Sequence, residues 1–176
     1  GGLHPVENVV AAWTALGSAD AASADLRVSH RPIVPRETMS NDMIALRFQG
    51  DPPTHFFSPL FEEAGVPHRS TTRNFPGVTA FREPFPPLDA DAQPLLDESG
   101  LGSTPAAFLK QVHGARVVRV TAGGLAGNGD ALVTDTPGLP IAVFSADCVP
   151  LLLYDADGRR LAAAHAGWRG TVQSVA

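Results

Sequence analysis

Two nearly continuous apolar runs, IAVFSA at 141–146 and VPLLLYDA at 149–156, constrain the fold more than any other part of the sequence. Such runs are typical of strands that are covered on both faces. A hairpin turn, DADGRR at 155–160, in which Gly158 supplies a positive φ, leads into a run of small residues, RLAAAHAG at 160–167. We therefore predict three consecutive strands here, of which the last two form a hairpin.

Further strand and helix signals surround this block. Four segments have the branched apolar content of strands: VPHRSTTR at 66–73, AAFLKQVHG at 106–114, ARVVRVTA at 115–122, and GNGDALVTD at 127–135, which begins as a turn. Four segments are predicted as helices: Val6–Leu16, SPLFEEAG at 58–65, DADAQPLLDESGLG at 89–102, and a helix that begins within WRGTVQSVA. In the second of these, Ser58 is the predicted N-cap, Pro59 the first helical residue and Gly65 the stop signal.

The length of the chain and the position of its last predicted helix suggest its domain organisation. A length of 176 residues allows one domain with an appendage. We predict that residues 1–38 are an N-terminal extension and that residues 39–176 form the domain. Because the chain ends only a few residues into its last predicted helix, we expect this domain to be incomplete at its C-terminus.

Composition excludes several partners and bounds the location. A net charge of −5 argues against a nucleic-acid-binding or anionic-membrane surface, which requires basic patches. One cysteine allows no internal disulfide, which favours a reducing compartment, and we expect a cytoplasmic protein. No stretch approaches the ~18–20 apolar residues of a membrane span.

The single cysteine, Cys148, lies at a break between two predicted strands, just before Pro150. His165 has small neighbours, and His113 ends a predicted strand before Gly114. Each alone is as well explained as a packed core or surface residue. Together, one thiolate and two imidazoles form a plausible Zn²⁺ ligand set with a fourth position open. A thiol–imidazole nucleophile of the kind found in cysteine hydrolases is the alternative, and spacing does not decide between them.

Other polar residues near these junctions are candidate binding residues. Arg169 and Gly170, in GWRGT, suit a phosphate at a helix start, and Arg73 is a second candidate for the same anion. Asp130 and Asp147 are candidates for orienting the imidazole ligands. Solvated arginines and turn aspartates are the plain alternatives. His4, His30, His55 and His68 carry little functional signal.

The motifs LKQVHG, GDALVTD, ADCVPLLLYD and AAAHAGWRGT, in this order, resemble the YfiH/DUF152 family. That family was described as a multicopper polyphenol oxidoreductase (laccase) and is regarded as a purine nucleoside phosphorylase family. The resemblance implies an α/β layered sandwich with mixed central β-sheets flanked by helices. It implies zinc, or copper in the older view, on His113, Cys148 and His165. It also implies phosphorolysis of adenosine, inosine and 5'-methylthioadenosine, with adenosine deamination as a second activity.

Residues 1–38 match no segment of the family. Two further departures from the family and three rival functions accompany this hypothesis. Pro76 stands where the family has a second glycine after its early arginine, which weakens the role of Arg73, and the family domain normally extends by about another third. The rivals are a cysteine-dependent hydrolase that edits peptidoglycan precursors, a copper-dependent polyphenol oxidase, and an inactive metal-binding fragment. The oxidase is disfavoured because copper sites of that kind usually add a weak axial ligand such as Met, and Met39 and Met43 are distant in sequence.

Overall fold

A computed structural model describes residues 8–13, 45–76, 94, 97, 105–155, 157 and 159–175. The elements whose bounds the structure describes are eleven strands and two short helices. The strands are β1 (Asn8–Trp13), β2 (Arg47–Gly50), β3 (Pro53–Phe57), β4 (His68–Thr71), β5 (Ala107–Lys110), β6 (Val117–Arg119), β7 (Gly124–Asn128), β8 (Ala131–Thr134), β9 (Pro140–Ser145), β10 (Val149–Asp155) and β11 (Arg160–Ala166), and the helices are α1 (Pro59–Glu63) and α2 (Trp168–Val172).

Both sheets are mixed. The larger has seven strands in the order β2-β3-β4-β1-β9-β5-β7 and the smaller has four in the order β10-β11-β8-β6. In the larger sheet β1 runs antiparallel to β4 and β9, whereas β5 runs parallel to β9 and β7. In the smaller sheet β11 is antiparallel to β10 and β8, and β6 is parallel to β8. The predicted α/β sandwich with mixed sheets is therefore confirmed.

The core lies between the two sheets. Leu109 on β5 and Ile141 on β9 belong to the same buried cluster as Leu132 on β8 and Leu161 on β11. All six residues of β9 are buried, as predicted for a strand that is covered on both faces. Burying each large aliphatic side chain contributes about 1.5–3 kcal/mol, so this contact fixes the two sheets against each other.

The sequence prediction for β10 was wrong in one respect. This strand pairs with β11 as the predicted hairpin, but Val149 and Leu153 are about half exposed. The reason is position, because β10 is the edge strand of the smaller sheet. Gly158, assigned the positive φ of the turn, lies outside the described residues, and Arg159 adopts a φ of 49°.

The helix predicted at Val6–Leu16 was also wrong, because β1 occupies Asn8–Trp13. Every residue of β1 is in register with one of β9, and Val10–Ala12 also pair with β4. Pairing on both edges outweighs the local helix propensity of an alanine-containing segment, and two consecutive valines favour the strand. The division of the chain at residue 38 stays a prediction, and β1 pairs with strands of the predicted domain.

The remaining helix predictions agree with the structure where it describes them. The helix α1 begins after Ser58 with Pro59 in its first turn, and Gly65 follows its end at a φ of 68°. The Ser58 side chain makes no capping bond; its backbone N–H donates to His68 Nε2 at 2.8 Å instead. Of the helix predicted at 89–102, only Pro94 and Asp97 are described, and both are helical. Within the described part of the chain, no helix has the length and apolar character needed to span a membrane.

Candidate metal centre

Three chain segments meet where the two sheets join. His113 follows β5 of the larger sheet, and Cys148 lies in the crossing from β9 to β10, where the chain passes to the smaller sheet. His165 is near the end of β11, in register with Pro150 of β10. Each side chain thus comes from the end of a strand or from the loop after it. Their relative positions depend on how the two sheets pack.

The structure brings these three residues together. One ligand atom from each of His113, Cys148 and His165 lies within 4.8 Å of the others. The two imidazole rings meet edge to face, with centroids 4.8 Å apart and planes at 82°. His165 is buried, Cys148 is partly buried and His113 is exposed, so the cluster is open to solvent on the His113 side.

Asp130 is fully buried and accepts hydrogen bonds from two of these residues. Its Oδ1 accepts from His165 Nδ1 at 3.0 Å and from the His113 backbone N–H at 2.8 Å. Its Oδ2 accepts from the backbone N–H groups of Gly114 at 2.7 Å and Val112 at 3.3 Å. Because a carboxylate only accepts, His165 Nδ1 carries the proton, and Nε2 is left with a lone pair for a metal ion.

His113 reaches the cluster through an unusual backbone conformation. Its φ is 59°, in the left-handed region that non-glycine residues rarely adopt. Three successive N–H groups, from Val112 to Gly114, converge on the Asp130 carboxylate and hold the loop in this shape. This nest of backbone donors around a buried anion compensates for the backbone cost.

Two glycines near α2 leave space that the cluster uses. A Cβ on Gly167 would lie 3.0 Å from Cys148 Sγ and 3.1 Å from His113 Cδ2, so this glycine lies against two of the three residues. A Cβ on Gly170 would lie 2.7 Å from the carbonyl oxygen of Gly114, so α2 packs directly on the loop that carries His113. A side chain at position 170 would push the backbone of the two segments apart, whereas one at position 167 would press on the side chains of Cys148 and His113.

The electrostatic surroundings of Cys148 are negative. Burial raises the pKa of its thiol, and the carboxylates of Asp147 and Asp130 raise it further. A nucleophilic cysteine of a hydrolase normally has a lowered pKa, set by a nearby cation or a helix N-terminus. A divalent cation at the cluster would reverse this effect, because a coordinating thiol is deprotonated by the metal charge.

The donor set fits a tetrahedral metal ion. Zinc holds imidazole nitrogen at about 2.0–2.1 Å and thiolate sulfur at about 2.3 Å, which places ligand atoms about 3.3–3.6 Å apart. The three ligand atoms, within 4.8 Å of one another, lie near this range. The space beside Gly167 and the fixed Nδ1 proton of His165 are further features of a built ligand site.

The other predicted site residues are more dispersed. Asp147 is exposed next to Cys148, and Arg73 is exposed in the turn after β4 of the larger sheet. Arg169 is exposed at the start of α2 with its guanidinium 5.3 Å from the Trp168 ring centroid. Since α2 has only five residues, its dipole gives the predicted phosphate site little support. Gly170 is buried against Gly114, and that packing accounts for its lack of a side chain.

The four remaining histidines separate into two groups. His55 and His68 are buried in the larger sheet, where His68 Nδ1 donates to the Val66 carbonyl at 2.9 Å. Burial lowers the pKa of His68, which keeps its ring neutral. His4 and His30 lie outside the described residues, as do Met39 and Met43.

Sequence reasoning missed three residues that shape the centre. Gln111 bonds to the backbone of Phe144 through both atoms of its amide, and Ser145 Oγ donates to the Cys148 carbonyl. Gly167 supplies the space between the ligands. Gln111 lies in the motif LKQVHG and Gly167 in AAAHAGWRGT. For Gln111 the available signal was a polar residue two positions before a candidate ligand, His113.

Comparison with known proteins identifies the family. A family model described as multi-copper polyphenol oxidoreductase laccase matches residues 89–176, half of the chain. The chain belongs to this family, which is the YfiH/DUF152 family. The resemblance seen in the four motifs is therefore confirmed. The family description implies a copper-type metal site, and His113, Cys148 and His165 are the described residues that could form one.

Relatives in this family are named as enzymes. A purine nucleoside phosphorylase of Deinococcus radiodurans is 43% identical over 122 residues, which cover 62% of this chain and 47% of the relative. The purine nucleoside phosphorylase YfiH of Escherichia coli is 39% identical over 89 residues, which cover 50% of this chain and 36% of the relative. The chain thus spans about half, or less, of the curated relatives that it matches. The chain is similar to part of each of these two proteins.

One solved structure supports the fold alone. The Bacillus licheniformis hypothetical protein YfiH superimposes with a TM-score of 0.53 at 24% identity. The superposition covers 73% of this chain and 55% of the other.

Proposed function

We propose that the protein binds one zinc ion through His113, Cys148 and His165 and acts in the phosphorolysis of purine nucleosides. Adenosine, inosine and 5'-methylthioadenosine are the proposed nucleosides, inorganic phosphate is the second substrate, and adenosine deamination is a second activity. The observation that carries the proposal is the convergence of the three ligand atoms within 4.8 Å of one another. The names of the Deinococcus radiodurans and Escherichia coli relatives supply the reaction class. A single cysteine supports a cytoplasmic location.

In this proposal the residues of the chain hold and orient the reactants. Asp130 keeps the proton of His165 on Nδ1 and so keeps Nε2 available as a ligand. A bound zinc ion would supply Lewis-acid chemistry at the opening beside His113. Arg169, two residues after Gly167, offers a guanidinium that matches a phosphate, and Arg73 is a second candidate for that anion.

The proposed reaction forms one bond and breaks another. A phosphate oxygen attacks C1' of the nucleoside, the bond from C1' to the purine nitrogen breaks, and the electron pair leaves with the base. The products are the free base and a sugar 1-phosphate. No oxidant or reductant is needed, so this chemistry suits a redox-inert ion such as Zn²⁺.

Metal analysis and a phosphate-dependence assay on the same sample test the proposal. The purified 176-residue chain should contain one zinc per molecule and should convert inosine to hypoxanthine only when phosphate is present. Cys148→Ala should lose the metal and the turnover together. His55→Gln should keep both, because His55 lies in β3 of the larger sheet and its ring packs on that of Phe75. Full phosphate-dependent turnover by metal-free Cys148→Ala would refute the mechanism, and copper in place of zinc would favour the oxidase.

A second candidate function rests on the bond between Asp130 and His165. This bond supplies the orienting carboxylate that a thiol–imidazole pair uses in cysteine hydrolases, in keeping with an enzyme that edits peptidoglycan precursors. The raised pKa of Cys148 argues against it. An acyl group trapped on Cys148 during turnover that needs no phosphate would establish this function in place of the first.

A further inference from the structure

We infer that Gln111 is a positioning residue for the candidate metal centre: its side-chain amide sets the spacing between His113 and Cys148. Gln111 follows the end of β5 and precedes His113 by two residues. Its Nε2 donates to the carbonyl oxygen of Phe144 at 2.7 Å, and its Oε1 accepts from the N–H of Phe144 at 2.8 Å. The inference rests on the proposed metal site and adds a residue to which neither the family nor its relatives' names assign a role.

The pair of hydrogen bonds to Phe144 replaces a missing strand pair. In the larger sheet β5 and β9 are in register at Ala107 and Ile141, which places Phe144 level with Lys110, the last residue of β5, and leaves Gln111 beyond the end of the strand. Phe144 is buried, so its N–H and carbonyl would be costly to leave unpaired. A primary amide carries the same donor and acceptor as a peptide group, and Gln111 thereby continues the ladder with its side chain.

From Phe144 the constraint extends to the thiol. Ser145 is the next residue, and its buried hydroxyl donates to the carbonyl of Cys148. The path from His113 to Cys148 therefore runs through Gln111, the Phe144 backbone and the Ser145 hydroxyl. The Phe108 and Phe144 rings, with centroids 6.1 Å apart, pack between the same two strands.

A second and separate link connects the two imidazoles. Asp130 Oδ1 bonds to the His113 backbone and to the His165 ring, with no part played by Gln111. Loss of the Gln111 amide should therefore loosen the His113-to-Cys148 distance while the His113-to-His165 distance is kept. The centre would become two well-placed imidazoles with a poorly placed sulfur.

Zinc affinity of the folded chain tests this inference. We expect Gln111→Leu, which removes both bonds at similar volume, to weaken zinc binding about 10- to 100-fold in a chelator competition, the range found when groups supporting a metal ligand are lost. Gln111→Glu, which keeps the acceptor but places a carboxylate against the Phe144 carbonyl, should weaken it as well. Gln49→Leu, on the exposed strand β2, is the matched control and should bind zinc like the unmodified chain.

Two spectroscopic measurements separate positioning from general destabilisation. With Co²⁺ in place of zinc, the thiolate-to-metal charge-transfer band should weaken in both Gln111 variants and stay unchanged in Gln49→Leu. In the unmodified chain, whose folding is not in question, the NMR signals of the Gln111 side-chain amide should shift on zinc addition while those of Gln49 stay fixed. If the unmodified chain binds no zinc, the proposed function fails; if it binds zinc and the Gln111 amide signals do not move, or the variants match its affinity and spectrum, this inference fails alone.

Discussion

Replacing Asp130 with asparagine should be among the most damaging conservative changes in this protein. Each carboxylate oxygen accepts two hydrogen bonds: Oδ1 from His113 N and His165 Nδ1, and Oδ2 from Gly114 N and Val112 N. An amide has one oxygen. With that oxygen toward Gly114 and Val112, the NH₂ group faces the His113 N–H, so that bond is lost, and it keeps a bond to His165 only if the ring proton moves from Nδ1 to Nε2. A hydrogen bond to a charged group contributes about 1.5–3 kcal/mol, whereas one to a neutral group contributes about 0.5–1.5 kcal/mol. With one bond lost and the other three weakened, we expect a loss of about 3–6 kcal/mol in the free energy of unfolding.

Urea denaturation in the presence of a chelator measures this loss without any contribution from bound metal. A loss of that size is a large part of the ~5–15 kcal/mol that stabilises a typical domain, so Asp130→Asn should unfold at a much lower urea concentration than the unmodified chain. Asp135→Asn is the matched control. Asp130 directly precedes β8 and Asp135 directly follows it. Asp135 pairs with exposed Arg119, and such a surface ion pair contributes about 0–1 kcal/mol. If Asp130→Asn cost less than about 1 kcal/mol, the carboxylate would not be the buried anchor inferred from these four bonds.

Two further predictions concern packing and protonation. Gly170→Ala places a Cβ 2.7 Å from the Gly114 carbonyl oxygen and should lower the free energy of unfolding by about 1–3 kcal/mol. Val172→Ala, on the exposed side of α2, should change it by less than about 0.5 kcal/mol. Equal effects of the two variants in thermal denaturation would contradict this packing. Burial lowers the pKa of His68 in the folded chain below its ordinary value of 6.5. The unfolded chain therefore binds a proton at this residue more readily than the folded chain does. The contribution of His68 to stability is present above pH 6.5 and is lost as the pH falls from there through the folded pKa. Urea midpoints at pH 7.5 and pH 5.5 should therefore differ more in the unmodified chain than in His68→Gln, and identical pH dependence would count against a neutral buried His68.

The strands that were predicted correctly are those whose signal is local. The apolar run of β9 and the small residues of β11 show burial directly in their composition, and the Ser58–Pro59 pair marks the start of α1 through backbone preferences alone. The β1 strand could not be predicted in this way, because its conformation is determined by pairing with β4 and β9, which lie about 60 and 130 residues further along the chain. The two glycines of β7 are a local signal for a turn, and the segment is a strand because it pairs in parallel with β5.

The site shows the same division between residue type and geometry. Thiol and imidazole chemistry marked Cys148, His113 and His165 as candidates, but separations of 35 and 17 residues say nothing about whether they meet. Their meeting depends on the packing of two sheets and on a positive φ at His113, neither of which has a sequence pattern. Gln111 was missed for a related reason: a side chain that substitutes for a strand residue is visible only once the end of β5 is placed beside β9.

The charge distribution at the centre bears on which chemistry Cys148 performs. An anionic thiolate here would face the carboxylates of Asp130 and Asp147, and both raise the thiol pKa in addition to burial. Asp130 leaves the Nε2 lone pair of His165 available as a base, but transfer of the thiol proton to Nε2 would still leave the thiolate beside both carboxylates. His113, Cys148 and His165 would hold a divalent cation, whose charge would offset the carboxylates and favour the thiolate form of Cys148. The carboxylates that disfavour a free nucleophilic cysteine are thus compatible with a cysteine that binds a cation.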